Sequence, residues 1–260
     1  MSTDDDQSPS WIDSHCHLYM HGEAPGALLN RAAQAGVRWV MCPGVDAETS
    51  AASRDLAAEF PVAVLWSAGL HPHDASAWPD QRDRLIALIE DADAIGECGL
   101  DFYRNLSPRD HQLDAFRDQL DLAATHDKPI IVHCRDAFAD TYELLADAAL
   151  GEPAVLHCWT GGRRWTKRFN ELGVTFSFAG PLTYATGETL RLAAAEAPPE
   201  RTMLETDTPY LTPEPMRRER NEPANVAITG AVLADVWGVP IEDAARTTTE
   251  VADRVFGPPS

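Results

Sequence analysis

Lysine is almost missing from this chain: Lys128 and Lys167 stand alone against nineteen arginines in 260 residues. Acidic side chains are abundant, and the formal net charge is −20. A surface of that sign repels polyanions, which disfavours a passive nucleic-acid-binding module that works by covering phosphates with basic groups. An enzyme whose cleft is made locally positive by metal ions and a few arginines stays open. The scarcity of lysine fits a salty cytoplasm, where surface repulsion is screened, and equally a high-GC genome.

Other absences narrow the field further. No stretch approaches the ~20 uninterrupted apolar residues of a membrane span, so no membrane association is expected. The five cysteines are odd in number and form no CxxC pair, which argues against a disulfide framework and suits a reducing compartment. No G-x-G-x-x-G follows the first apolar run, which weakens a dinucleotide-binding fold. The opening "MSTDDDQSPS" lacks the basic and then apolar regions of a secretory leader. Residues 1–10 are expected as a disordered acidic tail, residues 11–257 as one domain, and the protein as cytoplasmic and monomeric.

What the chain does contain is a regular alternation of apolar, strand-like runs with helical ones. Strands are expected at 10–18, 37–44, 61–73, 93–102, 128–137, 153–161, 174–180 and 201–211. Helices are expected at 24–36, 46–60, 80–92, 107–127, 136–150, 163–173 and 187–197, with two closing helices in the tail. Asp46 or Thr49 offers an N-cap to the second helix, and Ser107-Pro108 a cap and first-turn pair to the fourth. Strict βα alternation implies parallel strands joined by right-handed crossovers. Eight repeats in this length predict an α/β fold, a (β/α)8 TIM-type barrel, in preference to an open doubly wound sheet.

In such barrels chemistry sits at the C-terminal ends of the strands. There the chain places His15 and His17, Glu97, His133, His157 and Asp207. Any one of these has a bland reading as a hydrogen-bonded core or turn residue. Five separate strands ending in ligand-type residues are hard to obtain from packing alone. Four imidazoles and two carboxylates form a donor set for two divalent cations (zinc, manganese or magnesium), with positions left for water and substrate. Glu97, from a middle strand, is placed to bridge them. Cys16, Cys98, Cys134 and Cys158 each follow a proposed ligand, so strand alternation turns them toward the layer between barrel and helices.

The stretches "IDSHCHL", "AGLHPH", "AIGECGLDFY", "PIIVHCRDA", "LHCWTGG", "LETDTPYLTP" and "RNEPANV" together resemble the TatD family of metal-dependent hydrolases, within the amidohydrolase superfamily. They come in the family's order and span Ile12 to Val226. The resemblance implies a TIM-type barrel, a two-metal phosphodiesterase or nuclease centre, and metal roles for the same six residues. It departs where Cys98 and Cys134 stand, and in "EPMRRER", which lacks the glycine and lysine common there. No lysine ends a strand, so a carbamylated lysine bridge is ruled out and Glu97 must serve.

On this reading one ion is held by His15, His17 and Asp207, the other by His133 and His157, with Glu97 between them. Asp207 is also expected to accept the proton of the attacking water. Glu205 shares a face with Asp207 and is expected to orient a ligating imidazole. His71, His73, Arg135 and Arg220 are candidate phosphate contacts, and Trp159 and, beside it, Tyr103 are candidates to stack on a base. The leading expectation is a deoxyribonuclease acting on single-stranded DNA ends. The alternatives are an esterase or amidase of the amidohydrolase type, such as one acting on an aminoacyl-tRNA ester, and a non-enzymatic metal-binding scaffold.

Overall fold

The computed structural model describes residues 9–259, so most of the expected acidic tail lies outside the described residues. Eight strands alternate with helices: β1 (Trp11–Asp13), β2 (Val37–Pro43), β3 (Val64–Ala68), β4 (Ala94–Asp101), β5 (Ile130–Arg135), β6 (Ala154–Leu156), β7 (Thr175–Phe178) and β8 (Thr202–Leu204). The helices are α1 (Pro25–Gln34), α2 (Ala47–Glu59), α3 (Trp78–Ile89), α4 (Arg109–His126), α5 (Phe138–Ala148), α6 (Gly162–Glu171), α7 (Glu188–Glu196), α8 (Val226–Trp237) and α9 (Ile241–Phe256).

The strands are ordered β1 to β8 around the sheet and every neighbouring pair is parallel. Closure comes just past the ends of β1 and β8. The Ser14 amide donates to the Leu204 carbonyl at 3.0 Å, the Asp207 amide to His15 at 2.9 Å and the His17 amide to Thr208 at 2.8 Å. The result is a TIM-type barrel. Among the described residues no single helix is long and apolar enough to cross a membrane.

Two apolar cores follow from strands buried on both faces. The barrel interior is filled by Ile12, Trp39, Met41, Leu65, Ala94, Ile131, Val155 and Met203, and α9 seals its floor with Val251, Ala252 and Phe256. Polar contacts fasten that plug. Asp253 accepts from the Trp39 indole at 3.0 Å and from Arg38 at 2.9 Å, and Thr249 donates to the Ser10 carbonyl at 2.9 Å. The larger core lies between barrel and helices and includes Cys16, Cys42, Cys98 and Cys134.

Local signals were used as expected at α2 and differently at α4. Asp46 and Thr49 both act at α2, as a reciprocal capping box: Thr49 N donates to Asp46 Oδ1 at 2.7 Å and Asp46 N to Thr49 Oγ1 at 3.0 Å. At α4 no side chain caps the helix, which begins after Pro108. Ser107 Oγ instead donates to the His73 carbonyl at 2.7 Å, tying two loops at the mouth of the barrel together. One of the two lysines, Lys128, donates to the carbonyls of Ile89, Glu90 and Ala92 at the end of α3, where the helix leaves acceptors free.

Several strands are shorter than the apolar runs that encode them. The expected 10–18, 153–161 and 201–211 shrink to three residues each. Beyond those ends the backbone turns: Cys158 has φ 42° and Asp207 φ 57°. This corrects the expectation for Cys158. Alternation no longer governs a residue past the strand, and Cys158 lines the cavity at the C-terminal end instead of the outer core.

Candidate metal centre

A cavity of about 600 Å³ opens at the C-terminal end of the barrel, with Glu97, His133, His157 and Asp207 in its wall. Its size is that of a small-molecule site. Around it the structure brings together all six expected ligand residues, and His71 with them.

Glu97 stands at the centre, and its two oxygens face different partners. Oε2 lies 3.4 Å from His15 Nε2 and 3.6 Å from His17 Nε2. Oε1 lies 3.0 Å from His133 Nδ1, 3.0 Å from His157 Nε2 and 3.3 Å from His71 Nε2. Asp207 Oδ1 completes the first group, 3.7 Å from His17 Nε2 and 4.0 Å from His15 Nε2. The Nε2 atoms of His15 and His17 are themselves 3.2 Å apart.

Hydrogen bonds on the far side of each ring indicate which nitrogen is free. His17 Nδ1 is 3.2 Å from the Pro43 carbonyl, which also accepts from the Tyr19 hydroxyl at 2.8 Å. His157 Nδ1 is 3.2 Å from Glu205 Oε1, and His133 Nε2 is 3.3 Å from Asp101 Oδ2. Each oxygen calls for a ring N–H as donor, which leaves the opposite nitrogen with its lone pair aimed at Glu97 or its neighbours. Lone pair then faces carboxylate at 3.0 Å for His133 and His157 and at 3.6 Å for His17, an arrangement that needs a cation or a proton between them. The donor set therefore fits divalent metal.

The electrostatics of these side chains say the same. Burial, with the charge of neighbouring His15, drives the His17 imidazole down to about 3. Burial pushes the Glu97 carboxyl up, but His157 and His71 charges and hydrogen bonds from His133 and His15 offset this and hold it well below the usual range. Burial also raises Asp207 well above an ordinary carboxylate. A resident cation would replace these compensations with its own charge.

The other expected site residues divide. Glu205 is fully buried beneath His157. His73 lies 2.9 Å from Asp101 Oδ2, away from Glu97, and lines the cavity. Arg135 also lines it and stacks its guanidinium on the Tyr103 ring at 4.1 Å. Arg220 is outside the cavity wall and donates to the Met20 carbonyl at 3.2 Å. Trp159 is a correction: only 2% exposed, it packs on Phe138, Phe169 and Phe176 and donates to Thr166, so it presents no face to a base.

Two carboxylates passed unnoticed. Asp101 accepts from the Arg104 amide at 2.7 Å while also facing His73 and His133. Asp13 accepts from the Thr206 amide at 2.8 Å and its hydroxyl at 2.5 Å, locking β1 to the turn after β8. Desolvation pushes Asp13 up to about 8, against the pull of the Thr206 hydrogen bonds. For Asp101 the signal was period two, since 97, 99 and 101 share one face of β4; Asp13 had no such signal, because the register of β1 is irregular and Trp11 and Cys16 both face the outer core.

A parallel barrel whose strand ends converge histidines on a central carboxylate defines a metal-dependent hydrolase scaffold. The model of the TatD related DNase family matches residues 12–257. The metal-dependent hydrolase YcfH of Escherichia coli K12 is 34% identical over 253 residues, covering 94% of this chain and 95% of the relative. A protein named 3'-5' ssDNA/RNA exonuclease TatD from Citrobacter koseri is 38% identical over 241 residues, covering 88% and 92%. The crystal structure of the TatD homologue YjjV from Escherichia coli K12 superposes with a TM-score of 0.84 at 28% identity, covering 95% of this chain and 97% of that one. The chain belongs to the TatD family of metal-dependent hydrolases, and its centre takes a divalent metal.

Proposed function

We propose that this protein is an exonuclease for single-stranded nucleic acid, DNA first, that cleaves phosphodiester bonds with two divalent ions. The observation that carries it is the division of Glu97, with His15, His17 and Asp207 on the side of one oxygen and His133, His157 and His71 on the other. His15, His17 and Asp207 would hold one ion and His133 and His157 the other, Glu97 touching both. His71, expected as a phosphate contact, stands with the second group. The imidazole-rich set leans toward manganese or zinc over magnesium. Relatives named as ssDNA/RNA exonucleases support the substrate.

When bound, the ions would supply Lewis-acid polarisation of the phosphoryl oxygens and acidify water. The chain's own groups do the rest. Asp207, 17% exposed at the cavity edge, takes the proton of the attacking water on a carboxylate oxygen. Glu205 and Asp101 keep the His157 and His133 rings turned so that the correct nitrogen faces inward. Arg104 and Arg135, cationic side chains in the cavity wall, face the phosphates of the strand, a preference that carbonyl ester or amide hydrolysis would not need.

The test uses metal-stripped wild-type protein and Asp207→Asn with end-labelled single-stranded DNA, adding Mg²⁺, Mn²⁺ or Zn²⁺ back singly. Stepwise shortening that requires metal and vanishes in the variant supports the proposal. DNA left intact with metal bound overturns it in favour of a carbonyl ester or amide substrate.

A further inference from the structure

Most large apolar side chains of the described residues are covered, and six are not: Val62, Tyr103, Leu106, Leu192, Tyr210 and Val239. Three of these six belong to only two loops, both at the C-terminal end of the barrel. Tyr103 and Leu106 follow β4, and Tyr210 follows β8. In an eight-stranded ring β4 and β8 are four strands apart in either direction. The two tyrosines therefore rise from opposite sides of the mouth, with the metal centre between them.

Neither ring is a stray surface residue. Tyr103 is 62% exposed, yet one face is covered by the Arg135 guanidinium at 4.1 Å. That cation also lines the cavity, so the ring is braced from the side of the site and its remaining face is free. The loop beneath it is pinned, because Asp101 Oδ1 accepts from the Arg104 amide at 2.7 Å while Oδ2 faces His73 and His133. Opposite, Tyr210 lines the cavity, is 55% exposed, and donates through its hydroxyl to Met20 Sδ at 3.8 Å. Its amide donates to the carbonyl of Asp207 at 2.8 Å. Each ring is thus mechanically tied to the metal centre, Tyr103 through Asp101 and Tyr210 through Asp207.

We propose that Tyr103, braced by Arg135, and Tyr210 are stacking lips that grip the unpaired bases on either side of the phosphate held at the centre. Single-stranded nucleic acid is the ligand class this geometry takes. A flat, half-exposed ring offers a π face to any base, and stacking tolerates sequence because every base has one. Bases inside a duplex have both faces occupied by their neighbours, so a duplex gains nothing from the lips. The acidic surface then works with them: with a net charge of −20, affinity cannot come from a broad phosphate footprint and has to come from stacking and the arginines at the mouth. The proposal rests on the nuclease reading and gives it a specificity device.

Metal-free protein is titrated with single-stranded octamers carrying 2-aminopurine near the end, and fluorescence quenching reports stacking. A matched set carries an abasic residue at the same position. Wild-type protein is expected to quench the probe and to bind the base-bearing strand about tenfold or more tightly than the abasic one. Tyr103→Ala and Tyr210→Ala should each lose most of that ratio, and Tyr103→Phe, which keeps the ring, should restore it. In metal-loaded protein Tyr103→Ala should raise KM on single-stranded DNA with kcat nearly kept. An alanine variant that keeps the wild-type base-over-abasic ratio overturns the proposal, as does wild-type protein without that ratio. Wild type that shortens DNA without any base preference overturns the lips alone. Wild type that neither binds nor shortens it overturns the nuclease reading as well.

Discussion

His157 rests on Glu205: the ring Nδ1 lies 3.2 Å from an oxygen of a carboxylate with no exposure at all. A charge buried that deeply stays ionised only through its partner, and burial here is offset by the His157 interaction, leaving the carboxyl below its usual range. Glu205→Gln keeps the shape and weakens the acceptor. Metal affinity is expected to fall about 10- to 100-fold, read by calorimetric titration of metal-free protein. Unchanged affinity would remove Glu205 from the centre.

Glu97 serves both halves of the cluster, so its loss should be felt by both. On the two-ion proposal, Glu97→Gln is expected to bring metal content toward none and to reduce the hydrolysis rate at least ~10³-fold. His133→Ala should empty only the half on its side and leave about one ion. Elemental analysis after desalting separates the two cases, and one ion retained in Glu97→Gln would contradict the shared role.

Metal removal should also be visible in stability. A ligand at about 100 times its Kd adds ~2.7 kcal/mol to the folded state. For a chain of this size that is roughly 5–10 °C in Tm. Scanning fluorimetry with and without chelator measures it, and an unchanged Tm would mean that the folded state gains nothing from the ion.

Asp118 gives a pH-dependent prediction away from the centre. Its carboxylate accepts from Arg82 Nε at 2.6 Å and from the Trp78 indole at 2.9 Å, and the Arg82 hydrogen bond holds its proton affinity below the ordinary value of 3.8. A carboxyl with a depressed folded pKa stabilises the fold above its unfolded pKa and ceases to as pH falls through the folded one. Asp118→Asn should therefore lower stability by about 1 kcal/mol at pH 7, and the gap should close as pH drops below 3.8. Urea midpoints at pH 7 and pH 3 decide it. A pH-independent gap would count against the ion pair.

Gly99 is paired with His133 across β4 and β5, with φ 128°, and a Cβ there would meet the His133 carbonyl at 2.1 Å. Gly99→Ala is expected to cost ~2–5 kcal/mol through strain and overpacking and to weaken metal binding by shifting His133. Circular dichroism melts and metal titration test both effects, and a variant as stable as wild type would show that the strands part easily.

The architecture was legible because βα alternation is a long-range pattern, and so was the set of residues at the mouth, because ligand-type residues recur at five strand ends and two of them, Glu97 and His133, sit inside strands where period two holds. Misreadings fall where that period ends. Cys158, expected in the layer between barrel and helices, lies in a left-handed turn past a short strand, and alternation carries no information about a side chain there. Trp159 was misplaced because an indole next to a ligand histidine looks the same in sequence whether it faces base or core. Only the packing of Phe138, Phe169 and Phe176 around it settles the matter. Asp101 was written in period two with Glu97, and Asp13 lay just before the histidine pair; both were overlooked because a buried carboxylate near a histidine reads as ordinary strand polarity.

The plug made by α9 has a bearing on how such a chain can be made. All eight strands precede it, yet Val251, Ala252 and Phe256 are packed among the residues that fill the barrel. During synthesis the strands emerge before the residues that cover their common floor, so each partial barrel carries an open apolar base. Closing that base requires contacts between segments more than 200 residues apart, such as Trp39 and Asp253, which carry a high loop-closure cost. The floor of the barrel is therefore covered only once the chain has been made through Phe256.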